Sequence, residues 1–208
     1  GGVLSSEVAI IAASLYLRSP TPACVMCAVK TARAPAAPSQ ARHHGHTRAW
    51  LSASGSLTAR LRRLGAVRVQ VLRQGHQRLW AWESAALGGQ THGHVREVLL
   101  WVDGRAAVWA RSCTSAVDAR GPWRAIKGLG SRPLAEILFT DGDIQRGALD
   151  GERWPAHGRA WSHRRRAWLH VTVDQPAPVW ARHSVFRRRG APLLVTECFA
   201  PWVTQQRP

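Results

Sequence analysis

The chain has 208 residues, of which 45% are hydrophobic, and a formal net charge of +17. That length fits one domain, or one domain with a tail, and is enough to bury a proper core. Only Lys30 and Lys127 of the 29 basic residues are lysines; the arginine excess runs along the whole chain, as a GC-rich coding sequence would produce, so it is read as a solvated surface and no nucleic-acid partner is expected.

Residues 1–46 carry Pro20, Pro22, Pro35 and Pro38, a histidine cluster and little periodicity. They are read as a poorly ordered extension with at most one short helix near residues 5–17. The apolar run over residues 8–17 falls short of the roughly 20 residues of a membrane helix. It also lacks the basic start and small-residue cleavage site of a signal peptide. No membrane insertion is expected, and the location expected is the cytoplasm. Cys24 and Cys27 have C-x-x-C spacing close to His43, His44 and His46. With no strand before the pair and no second ligand pair at zinc spacing, the spacing is read as coincidence, and no metal is expected. Cys113 and Cys198 are read as small buried residues.

The regular part, residues 47–208, is read as one domain. Ser56 is an N-cap for a helix carrying Leu57, Leu61 and Leu64. Residues 66–73 alternate Val67, Val69 and Val71 with Arg68, Gln70 and Leu72, as in a half-buried strand. Residues 74–93 are read as irregular. A strand over 95–102 turns through Asp103-Gly104 into a partner over 106–114. Ser131 and Pro133 mark a helix start before Leu134, Ile137 and Leu138. Residues 141–178 are read as a long Gly/Pro/Trp/Arg-rich excursion with some strand. The run Ser162-His163-Arg164-Arg165-Arg166 falls in it and on no obvious helix. A last hairpin, 180–188 and 192–199, turns through Arg189-Gly190-Ala191. The sum is α+β: an antiparallel β-sheet with helices packed on one side.

Two charges break the apolar faces of these strands. The strand period of two puts Arg96 with Val98, Leu100 and Val102, and Glu197 with Leu193, Val195 and Phe199. A charge facing a core is costly unless it meets an opposite charge or a polar ligand. Arg96 and Glu197 then form either a structural ion pair or the polar ends of one greasy pocket for a small, partly apolar anion. The first-turn amides near Leu57 and Leu134 are free donors that can also receive a carboxylate. Ser184 and Thr196 are read as strand residues. His92, His94 and His183 lack ligand spacing, and no phosphate loop or dinucleotide fingerprint occurs.

The ordered set Gly55-Ser56-Leu57, Arg96-Glu97-Val98-Leu99-Leu100 with Asp103-Gly104, Ala110-Arg111-Ser112, Leu129-Gly130-Ser131-Arg132-Pro133-Leu134, Trp180-Ala181-Arg182-His183-Ser184 and Gly190-Ala191-Pro192-Leu193-Leu194-Val195-Thr196-Glu197 resembles the chorismate pyruvate-lyase family over residues 50–202. The resemblance implies an antiparallel β-sheet with helices and an internal ligand cavity, and a lyase that converts chorismate to 4-hydroxybenzoate and pyruvate, the entry step of ubiquinone synthesis, with no cofactor. It implies Arg96 as the carboxylate-binding arginine, Glu197 as the essential glutamate, and backbone contacts to substrate at Leu57 and Leu134. Leu57 stands where the family pattern has methionine, a change that a backbone contact tolerates. A monomer is expected. The alternative is a non-catalytic small-molecule effector-binding domain of the same fold, for which residues 1–46 offer no helix-turn-helix.

Overall fold

The computed structural model describes residues 38–208. The expected helix over 5–17, the Cys24/Cys27 pair and the side chains of His43 and His44 lie outside the described residues. Helix α1 (Pro38–Ser52) crosses the boundary drawn at residue 46.

Period-two patterning and tight turns produce one antiparallel sheet of seven strands. They are β1 (Val67–Arg78), β2 (His92–Val102), β3 (Arg105–Ser115), β4 (Ile144–Arg146), β5 (Asp150–Arg153), β6 (Trp180–Arg188) and β7 (Ala191–Phe199). The order is β1-β2-β3-β7-β6-β4, and β5 also pairs with β6. The two hairpins in the middle close on two-residue turns with positive φ. Asp103 and Gly104 have φ of 47° and 77°, Arg189 and Gly190 of 50° and 80°. Such left-handed pairs match the strand twist, and a glycine in second place removes half the steric cost.

The strand register places side chains in rows across the sheet. One row reads Arg96, Ser112, Val195, Ser184, and the next reads Val98, Ala110, Glu197, Arg182. Both rows belong to one face, which α2 (Leu57–Leu61) and α4 (Ala135–Leu138) cover. Alternate residues, among them Glu97, Arg111 and Thr196, point to the other face.

That second face carries α3 (Ala81–Ala86) and α5 (Gly158–Val171), so helices, expected on one side, cover both. Residues 74–93, expected to be irregular, continue β1 to Arg78 and then form α3. As an edge strand β1 pairs on one side only; His76 and Arg78 are exposed, while half-buried Gln74 donates through Nε2 to the Lys127 carbonyl at 3.0 Å. Glu83 starts α3 by accepting from the Trp80 amide at 2.9 Å. Leu64 lies beyond the end of α2 rather than on it.

The expected excursion over 141–178 holds β4, β5 and the 14-residue α5, which carries the whole basic run 162–166. The buried stripe of α5 contains a charge: Arg164 is 0% exposed, between Trp161 and Trp168 in the helical period. Its guanidinium sits over the Trp154 ring at 4.8 Å, where the ring quadrupole compensates part of its desolvation. Cys113 and Cys198 are free and buried. Among the described residues no helix is long and apolar enough to cross a membrane.

Candidate active site

A hollow opens between the first face of the sheet and the helices α2 and α4. It holds about 600 Å³ of space not filled by atoms, part of it open to solvent. Its walls are mostly apolar: Val69, Val98, Leu100, Leu138, Phe186 and Val195. Arg96, Glu197, Leu57 and Leu134 all line it.

Arg96 projects from the middle of β2 and is 2% exposed. Its Nη2 donates to the carbonyls of Gly130 at 2.9 Å and Arg132 at 3.0 Å, on the segment leading into α4. Its Nε has no partner among the described residues. Burial alone lowers its pKa, and an arginine stays charged through such a shift. Among the described residues no carboxylate lies within ion-pair distance of it. Of the two readings left open for Arg96 and Glu197, the structural ion pair is therefore absent.

Glu197 is paired with Arg182, its direct neighbour across the β6–β7 hairpin. Arg182 Nε donates to Glu197 Oε2 at 2.6 Å, with side chains 1% and 16% exposed. Arg182 Nη1 also donates to the carbonyls of Trp50 at 2.9 Å and Ala53 at 2.8 Å. A strand arginine thus fixes the catalytic-candidate carboxylate and caps the C-terminal end of α1 at once.

The two helix starts face the same hollow. Ser56 Oγ accepts from the Ala59 amide at 3.2 Å, which caps α2. Among the described residues the amides of Leu57 and Leu134 donate to no backbone carbonyl, so both remain available to a ligand. Arg146, on β4, also reaches the hollow: its Nε donates to Ser184 Oγ at 3.0 Å.

The sheet's other face buries a second charged group. Arg111 donates to Glu83 with Nε at 2.6 Å and Nη2 at 3.0 Å, and its Nη1 donates to Glu97. The guanidinium also lies 4.0 Å from the centre of the Trp80 ring. His163 of α5 lies 2.9 Å from both Glu97 oxygens. Burial pushes the Glu97 carboxyl up, but His163 and Arg111 overcome this and hold it below its ordinary value. Glu97 and Arg111 flank Arg96 and Ala110 in sequence, so this network anchors the backbone of the two cavity strands from behind.

Reasoning from the residues did not single out Arg146, Arg182 or this network. Arg182 had a usable signal, since a two-residue turn at 189–190 fixes 182 opposite 197. Arg146 had none, lying in a three-residue strand inside the stretch read as a long excursion with some strand. His163, His92, His94 and His183 build no metal site: among the described residues no group of three or more His, Cys, Asp or Glu could hold an ion.

The antiparallel α+β sheet thus carries a mainly apolar hollow with unpaired guanidinium donors and two open helix starts, groups of the kind that can receive a carboxylate. The chain matches the family model for chorismate lyase over residues 42–207 and belongs to that family. It is 46% identical over 167 residues to a probable chorismate pyruvate-lyase of Albidiferax ferrireducens, covering 76% of this chain and 85% of that protein. A probable chorismate pyruvate-lyase of Azoarcus sp. strain BH72 is 44% identical over 158 residues, covering 74% and 83%. The solved effector domain of PhnF from Mycobacterium smegmatis is 17% identical, covering 70% of this chain and 88% of that one with a TM-score of 0.44; it is too distant to bear on function.

Proposed function

We propose that the protein is a chorismate lyase that converts chorismate to 4-hydroxybenzoate and pyruvate, the entry step of ubiquinone synthesis. The observation that carries the proposal is the shared placement of Arg96 and Glu197 on one cavity face, unpaired with each other. Each is free to meet one end of a para-substituted ring acid.

Chorismate carries one carboxylate on a non-aromatic cyclohexadiene ring and a second on its three-carbon enolpyruvyl ether. Its ring-carbon to ether-oxygen bond breaks, and the electron pair leaves with the oxygen as enolpyruvate. The ring loses the proton beside the hydroxyl and becomes aromatic. Enolpyruvate takes up a proton and becomes pyruvate, so the atoms of the two products sum to those of the substrate. Aromatisation supplies the driving force, and the protein's task is orientation and charge placement.

Arg96, with Nη2 committed to the Gly130 and Arg132 carbonyls, offers its remaining guanidinium donors to the ring carboxylate, and a lysine would not serve all these partners at once. The Leu57 and Leu134 amides add donors from two sides. Glu197 contacts the ring hydroxyl and assists proton movement between ring and leaving group. Arg182 holds Glu197 at its oxygen Oε2, leaving Oε1 for substrate. The mostly apolar walls lower the local dielectric, which strengthens each of these contacts. No metal or organic cofactor takes part.

The test is direct. Purified protein incubated with chorismate should release 4-hydroxybenzoate and pyruvate in equal amounts, and equal rates should be found with a chelator present. Binding of chorismate without release of either product contradicts the proposal and leaves a sensor domain in its place.

A further inference from the structure

We infer that Arg146 forms a second carboxylate subsite, which takes the carboxylate of the substrate's three-carbon ether group while Arg96 takes the ring carboxylate. The inference rests on the lyase reading above and adds a residue to it.

The charges of the cavity point there first. Four ionised groups line it: Arg96, Arg111, Arg146 and Glu197. Arg111 turns its guanidinium to the far face, where Glu83 and Glu97 neutralise it. Glu197 is neutralised by Arg182. Arg96 and Arg146 are left as two cations with no carboxylate in ion-pair distance among the described residues. A site with two surplus positive charges suits a dianion, whereas an aromatic acid with one carboxylate neutralises only half of it.

The hold on Arg146 is that of a pre-oriented binding group. Ser184 Oγ fixes its Nε at 3.0 Å, and its guanidinium lies 5.2 Å from the centre of the Phe186 ring. The remaining protein contact is a long one, Nη1 to the Gly55 carbonyl at 3.4 Å. Its Nη2 has no partner among the described residues. Burial lowers its pKa and outweighs the opposing effect of Glu197, so the charge is carried at a cost that an incoming anion would repay.

The register places it correctly for the second carboxylate. Arg96 and Ser184 share a row, three strands apart, with Glu197 in the adjacent row between them. At about 4.8 Å per strand the ends of the row are roughly 14 Å apart at Cα. Two arginines reaching inward from such a span leave room for a ring and a short side group. In chorismate the ether group is next to the ring hydroxyl, and Glu197 is the group proposed to meet that hydroxyl. The ether's carboxylate therefore falls on the Glu197 side of the cavity, where Arg146 stands. After the bond breaks, this contact leaves with pyruvate and the ring product keeps only Arg96.

That asymmetry separates the subsite from a structural role. Arg146→Gln and Arg146→Lys should be made in the whole protein, and each measured for chorismate KM and for 4-hydroxybenzoate affinity. Arg146→Gln is expected to raise KM at least tenfold while 4-hydroxybenzoate affinity stays within threefold. Arg146→Lys, which keeps the charge and loses the fork, is expected to fall between Gln and the parent, and it decides the case if the Gln variant does not fold. A KM within threefold of the parent in both variants overturns the inference. So does an equal loss of affinity for chorismate and 4-hydroxybenzoate, since it would mean that Arg146 only supports the Gly55 segment. If the parent protein itself does not turn over chorismate, the lyase reading fails instead.

Discussion

Replacing Arg182 with methionine removes the cation 2.6 Å from Glu197 and two donors that cap the carbonyls of Trp50 and Ala53. Methionine fills most of the volume, so the effect is electrostatic rather than a cavity. A carboxylate that is 16% exposed and stripped of its partner costs about 3–5 kcal/mol by analogy with other broken buried pairs. The two carbonyls lie at a helix end and recover part of their solvation, so they add little beyond that range. At roughly 2–4 °C per kcal/mol for a domain of this size, the melting temperature should fall by about 6–20 °C. Urea unfolding at neutral pH reads the free energy. The double variant Arg182→Met/Glu197→Met no longer buries an uncompensated charge, and should recover about 2 kcal/mol of the loss. An Arg182→Met protein within about 1 kcal/mol of the parent, or a double variant whose loss is the plain sum of the two singles, would refute the role given to this pair.

Further outcomes follow from the same geometry. Arg96→Ala should lower kcat/KM by about 100-fold or more, because a charge-assisted contact in a mostly apolar site is lost, and steady-state kinetics together with 4-hydroxybenzoate binding check it; unchanged product affinity would contradict the contact. Proline is tolerated in the first turn of a helix, so Leu57→Pro should weaken 4-hydroxybenzoate binding well beyond Leu57→Ala, which loses the same buried side chain but keeps the amide. The depressed Glu97 carboxyl contributes stability that is present above its unfolded value, about pH 4.3, and is lost as pH falls through its lower folded value. Urea midpoints should therefore show Glu97→Gln less stable than the parent at neutral pH, with a gap that narrows below about pH 4; a constant gap would contradict this.

The sheet and half of the site were readable because strand patterning is local. Val67, Val69 and Val71 alternate with polar residues, and Asp103-Gly104 and Arg189-Gly190 close hairpins by turn chemistry alone. The same alternation exposed Arg96 and Glu197 as charges on apolar faces. Pairing across strands was harder to read. Glu197 was matched with Arg96 because both are unusual, while its actual partner, Arg182, sits where the hairpin register puts it and looks like one more arginine among many. Helix α5 was hidden for a related reason. Its inward stripe runs Trp161, Arg164, Trp168, and an arginine compensated by Trp154 breaks the apolar period that would otherwise mark a helix. The Glu83–Arg111–Glu97–His163 group draws on four separate elements, α3, β3, β2 and α5, so no spacing in the sequence reports it. Arg146 lies in a strand too short to carry a pattern.

The most direct measurement is a crystal structure of the protein soaked with 4-hydroxybenzoate. The expected result is a ring inside the hollow, its carboxylate about 2.7–2.9 Å from the Arg96 guanidinium and its hydroxyl on the Glu197 carboxylate. Density for the ligand anywhere else, or in the hollow with neither of those two side chains touching it, would contradict the site.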